Sequence, residues 1–132
     1  MLAAATSVLV VTAIFFLLLG LIALIRPGCA RRFLPAFATS ASKHYTELLM
    51  RLVVGASLLL VAPHSAHGAA LTVFGWLLIT TTALMALVPW RLHHCFAEKS
   101  VPQALRFLPM IGAVSFALGG LLLRSIITAS PA

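Results

Sequence analysis

Residues 26–51 hold five of the nine Lys and Arg residues, Arg26, Arg31, Arg32, Lys43 and Arg51, and they lie between two apolar runs long enough to enter a bilayer. Short connectors rich in Lys and Arg stay on the cytoplasmic side during insertion, so this stretch fixes the orientation of the segments on either side of it. Composition points the same way. The chain's 132 residues are 62% hydrophobic and only 8% charged, whereas soluble domains are roughly a quarter charged. The expectation is a single transmembrane domain over residues 1–132. A net charge of +7 on a soluble protein would suggest nucleic acid. Here the cations flank apolar spans with no aromatic-studded basic surface between them, so topology and anionic lipid head groups account for the charge and no nucleic-acid partner is expected.

Four spans follow, at about 5–25, 45–62, 69–88 and 107–127. In the first, the run 8–25 is interrupted only by Thr12 and Gly20, which a membrane helix tolerates. A cleaved secretory signal would need a basic region before the run, and the charge comes after it instead. Arg26-Pro27-Gly28 ends the helix. The connector that follows mixes Arg31, Arg32 and Lys43 with Phe33, Leu34 and Phe37, which suits an amphipathic segment in the head-group layer, irregular or in two short turns because of Pro35. A solvated loop with a few buried rings is the plainer alternative.

In the second span Tyr45 suits the interface, and Glu47 and Arg51 stand four residues apart on one helical face, an acid placed ahead of a base. They form an expected interfacial ion pair, with Arg51 near enough to the cytoplasmic end to snorkel. The turn 63–68 has no Lys or Arg, as an outer loop should. The third span carries no charge. Its Thr72, Thr80, Thr81 and Thr82 can bond to their own helix or to a neighbour, and a polar pore lining is the alternative. Trp76 lies within this span and Trp90 at its end, where only Trp90 is placed like an aromatic-belt residue. A second basic connector, 89–106, carries Arg91, Lys99, Arg106 and the acid Glu98, again a mixture suited to the interface.

The fourth span tolerates Pro109 in its first turn and presents Gly112, Ser115, Gly119 and Gly120. Together with Gly55 and Ser57 of the second span, these small residues are the expected helix-packing surface. Arg124 is the one base near the outer end. With the other eight at the two cytoplasmic connectors, the reading is an all-α, integral-membrane four-helix bundle with both chain ends outside.

The halves look alike. Ala23-Leu24-Ile25-Arg26-Pro27 resembles the residues up to Pro89, and Val54-Gly55-Ala56 resembles Ile111-Gly112-Ala113, so two repeated helical hairpins are a further expectation. Arg51 stands four before Gly55, however, while Arg106 stands six before Gly112. The run Gly20-Leu21-Ile22-Ala23-Leu24-Ile25-Arg26-Pro27, the later Arg51-Leu52-Val53-Val54-Gly55, and Pro89-Trp90-Arg91 are similar to the pattern of the uncharacterised small two-helix inner-membrane proteins of bacteria. Those proteins carry a G-L-x5-P run, a Trp-Arg pair and an L-R-x-x-G element. The resemblance implies a bacterial inner-membrane protein, and the family has no established activity to carry over.

Chemistry is sparsely encoded. His93-His94-Cys95 is the densest group of metal-capable side chains, but successive helical residues diverge by about 100°, and no second pair stands at zinc-ligand spacing. His64 and His67 in the outer turn could share a face, and the sequence supplies no partner for them as haem or copper ligands. No cofactor is therefore expected. Cys29 and Cys95 both fall in cytoplasmic connectors, where thiols stay reduced. Cys95 lies near bases, yet only Glu98 is at hand to orient a nucleophile. The leading expectation is an accessory or assembly subunit that docks on other membrane-protein subunits or self-associates. A small oligomeric transporter or channel comes second and a lipid-modifying enzyme third. The absence of charge in the first and third spans favours the accessory role over a proton-coupled carrier.

Overall fold

Proline sets the boundaries at one end of the molecule. The computed structural model describes residues 1–33 and 40–128 and is built of helices α1 (Leu2–Ile25), α2 (Pro27–Phe33), α3 (Ala41–Val61), α4 (Gly68–Leu87), α5 (Trp90–Ala104) and α6 (Leu108–Ile127). The side chains of Phe33, Trp90, His93 and Glu98 lie outside the described set, as do Leu34, Pro35 and Phe37 altogether. Helix α1 stops at Ile25 because the residue before a proline is pushed out of the helical region: Arg26 has φ −131° and ψ 67°. Val88, before Pro89, is likewise extended at the end of α4. In each case the proline then opens a basic helix, where its missing N–H costs nothing. Ser40 caps α3, its hydroxyl accepting from the Lys43 N–H at 3.4 Å.

Four helices, α1, α3, α4 and α6, are long and apolar enough to cross a membrane. The shortest have 20 residues, which at about 1.5 Å each reach roughly 30 Å. Most of their hydroxyl side chains are satisfied within the helix. Thr6, Thr12, Ser57 and Ser125 each donate to the carbonyl four residues back, and so do Thr72, Thr80, Thr81 and Thr82. That is the arrangement a lipid surround favours, because no water competes for these hydroxyls.

The helices pair antiparallel, α1 with α6 and α3 with α4, and α1 also packs on α3. Spatially they run α6, α1, α3, α4. One apolar cluster joins all four helices near the chain ends: Ala5 and Leu9 of α1, Leu58 and Val61 of α3 and Leu71 of α4 with Ala62, flanked by Leu122 and Ile126 of α6. The Ser65 hydroxyl donates to the Ser125 carbonyl at 3.2 Å, tying the turn between α3 and α4 to the end of α6. At the opposite end a second cluster is confined to Ala23 of α1, Ala30 of α2 and Leu108 of α6. Both basic connectors lie at this second end, so eight of the nine Lys and Arg residues gather there and only Arg124 stands at the other.

The element order is the same in the two halves, a long helix, a short basic helix and a long helix. The packing differs. α1 and α3 touch, whereas α4 and α6 form no close pair, so the halves are not two copies of one packed hairpin. Both connectors contain regular helix: α2 makes two turns, and α5 runs for 15 residues with Pro102 inside it before a 3-10 turn leads into α6.

Candidate functional site

Glycine decides how closely the paired helices approach. A Cβ at Gly20 would stand 2.7 Å from the Gly112 carbonyl, and one at Gly119 would stand 2.9 Å from the Ala13 carbonyl. The two contacts form together because Ala13 and Gly20 are seven apart on α1, as Gly112 and Gly119 are on α6. Seven residues complete almost two turns, so a single antiparallel register brings both pairs together. The α3/α4 pair crosses at Gly55 and Gly75, where a Cβ on either would come within 3.2 Å of the other's carbonyl. Ser57, Ser115 and Thr82 are buried along the helices that make these contacts.

Gly55, Ser57, Gly112, Ser115 and Gly119 are thus buried in the bundle as packing residues. Gly120 is not one of them: it is exposed, and a Cβ there would meet nothing within 4 Å. Eight residues overshoot two turns by about 80°, which rotates Gly120 off the face that Gly112 and Gly119 share. A second correction is larger. The small-residue face of α6 is filled by α1 of the same chain, so it is not the surface a partner docks on. Gly20, read from sequence as a tolerated interruption, and Gly75 are packing residues that sequence reasoning missed. The matching seven-residue spacings were the available signal for Gly20.

The ion pair forms. Arg51 Nε and Nη2 both donate to Glu47 Oε1, at 3.0 and 2.6 Å, and Nη1 reaches Met85 Sδ of α4 at 3.4 Å. Both side chains are about a third exposed, and the pair bridges α3 to α4 near the basic end. Tyr45 is exposed one turn away.

The metal-capable groups are scattered. α5 is helical through 93–95, with Cys95 exposed and His94 half-buried. His64 is half-buried in a 3-10 turn, its Nδ1 buried with no hydrogen-bond partner, while His67 is exposed at the start of α4. Among the described residues no three His, Cys, Asp or Glu side chains come together as a metal-binding group. Cys29 and Cys95 are exposed free thiols.

Apolar side chains are exposed on all the spanning helices, and two such surfaces bear on function. α4 lies at the end of the helix row and, among the described residues, packs closely only against α3 and the preceding turn. Its outer face, Val73, Trp76, Leu77, Thr80, Leu84 and Leu87, is exposed along its whole length, with Trp76 58% exposed at mid-span. On α5, Leu92 and Phe96 are exposed one turn apart, while Arg91, Cys95 and Lys99 fall on a separate arc by helical spacing. That places an amphipathic helix at the basic end, suited to the head-group layer. No protein-family model, curated protein or solved structure matches this chain.

Proposed function

We propose that the chain is a small accessory or assembly subunit of a bacterial inner membrane, its basic end in the cytoplasm, that seats the outer face of α4 on a larger membrane protein. The observation that supports this reading is Trp76. Tryptophan favours the membrane interface, where its ring lies in an apolar layer and its N–H meets water. At the middle of a 20-residue span the indole N–H faces hydrocarbon unless another protein brings an acceptor to it. The face around it is apolar apart from Thr72 and Thr80, whose hydroxyls donate to the Gly68 and Trp76 carbonyls at 2.9 and 2.7 Å.

The carrier reading has less in its favour. The threonines that would line a pore donate to their own helix, and the Glu47–Arg51 ion pair is self-neutralising and lies near the basic end.

Photo-cross-linking residues placed singly at positions 76 and 80, and as controls at Leu21 and Met110 on other lipid-exposed faces, test the proposal in native membranes. The expected result is a discrete protein adduct from 76 and 80 and lipid adducts from the controls. An adduct of twice the chain's own mass would replace the foreign complex with self-association, and lipid adducts at all four positions would remove the docking surface.

A further inference from the structure

Helix α2 folds back beside the last turns of α1. Ala30 is buried against Ala23 and Leu108, and beside this contact Phe15, Leu18, Leu19 and Ile22 of α1, with Cys29 and Ala30 of α2, line a half-open apolar recess of about 440 Å³. The α1 residues recur at intervals of three, four and seven, a single helical face. It lies on the side of α1 away from Ala13 and Gly20, the face that meets α6, and Phe15, Leu18 and Ile22 are exposed along it. The recess therefore opens toward lipid, and its size falls in the range of small-molecule pockets, about 300–1,000 Å³.

Its rim is cationic. Arg26 stands three residues before Cys29 and accepts the Cys29 N–H through its carbonyl at 3.0 Å, and Arg32 stands three residues after. Spacing of three within α2 puts Arg32 on the Cys29 side of that helix, the Arg26 carbonyl bond holds the Arg26 backbone one turn before Cys29, and both arginines are exposed. The chain holds only two carboxylates. Glu47 is engaged by Arg51, and Glu98 belongs to the other connector. α2 itself contains no acid, and among the described residues no ion pair engages these guanidiniums.

From the apolar recess and its unmatched cationic rim, we infer that the α1–α2 recess binds one anionic phospholipid, an acyl chain lying along Phe15, Leu18 and Ile22 and the phosphate held between Arg26 and Arg32. Moving an acyl chain from bilayer to recess gains little, since lipid tails are as apolar as the side chains it meets. Selectivity therefore resides in the head group, where guanidinium and phosphate make charge-assisted, geometrically matched hydrogen bonds.

The test is lipid retention by the full chain in non-ionic detergent, where insertion topology plays no part, read by native mass spectrometry with phosphatidylglycerol or phosphatidylcholine added. Wild type is expected to retain one phosphatidylglycerol and to release phosphatidylcholine. Replacing both rim residues (R26Q with R32Q) should lower phosphatidylglycerol retention roughly thirtyfold, the scale for removing two cations from an anionic-lipid contact. Removing the same charge from α5 (R91Q with K99Q) should leave it within twofold. Leu18→Trp, which fills the recess and keeps every charge, should also abolish retention, and it decides the matter if the rim variant does not fold. Equal retention of phosphatidylcholine, equal loss from the α5 variant, or undiminished binding by Leu18→Trp would each overturn the assignment.

Discussion

At the scale of single residues, adjacent positions on α6 separate packing from mere smallness. Gly119 faces the Ala13 carbonyl and the Leu17 N–H, and this backbone cannot rotate away from an added side chain, whereas Gly120 faces open space. Gly119→Leu is therefore expected to cost at least about 1–3 kcal/mol, the scale of overpacking, and Gly120→Leu to stay within about 0.5 kcal/mol. Unfolding titrations in mixed detergent micelles compare the two, and equal losses would remove the close α1/α6 contact. The ion pair makes a signed prediction as well. Arg51→Ala strands the short Glu47 carboxylate beside apolar α4, while Glu47→Gln leaves an arginine long enough to snorkel and still able to reach Met85. Arg51→Ala should be the more damaging, with a coupling of roughly 0.5–1 kcal/mol in a double-mutant cycle. The pair was legible in the sequence because spacing of four suffices to define it. Gly120 was misread because smallness is visible in a sequence and angular position eight residues away is easily overestimated.

At the scale of elements, the spans and their ends were readable and their partners were not. Apolar length, Pro27 and Pro89 fix where the helices stop, and the observed spans agree with those expected to within a few residues. Which helix lies beside which depends on interhelical geometry that no local pattern encodes. Chain neighbours suggested two hairpins, and the notches at Gly20 and Gly112 instead join α1 to α6. Cysteines placed at Ala23 and Leu108, which pack together across α1 and α6, with Cys29 and Cys95 changed to serine, should cross-link oxidatively within one chain. Cysteines at Leu84 and Leu108, on α4 and α6, should not. Efficient cross-linking of the second pair alone would refute the helix order.

At the scale of the whole molecule, charge asymmetry and architecture agree. The helices are antiparallel, so the connectors with eight of the nine basic side chains fall at one end, and that end is expected in the cytoplasm. The two native cysteines report on it directly, since Cys29 and Cys95 are exposed in those connectors. A membrane-impermeant maleimide should label neither in intact cells and both after permeabilisation, while a cysteine introduced at Ala3 should be labelled in both. Labelling of Cys29 or Cys95 from outside would invert the orientation.

The pairing of α1 with α6 has a further consequence for how the protein is made. Helix α1 leaves the ribosome before α6 and must wait for it, separated from it by some 80 residues of chain, which at translation rates of about 5–20 residues per second is a delay of roughly 4–16 seconds. Throughout that interval the notched side of α1 is bare in the bilayer and open to any insertase or chaperone that recognises an unmatched groove. A nascent chain halted before Gly112 never closes it, because the carbonyl and glycine that fill the notch have not yet been made.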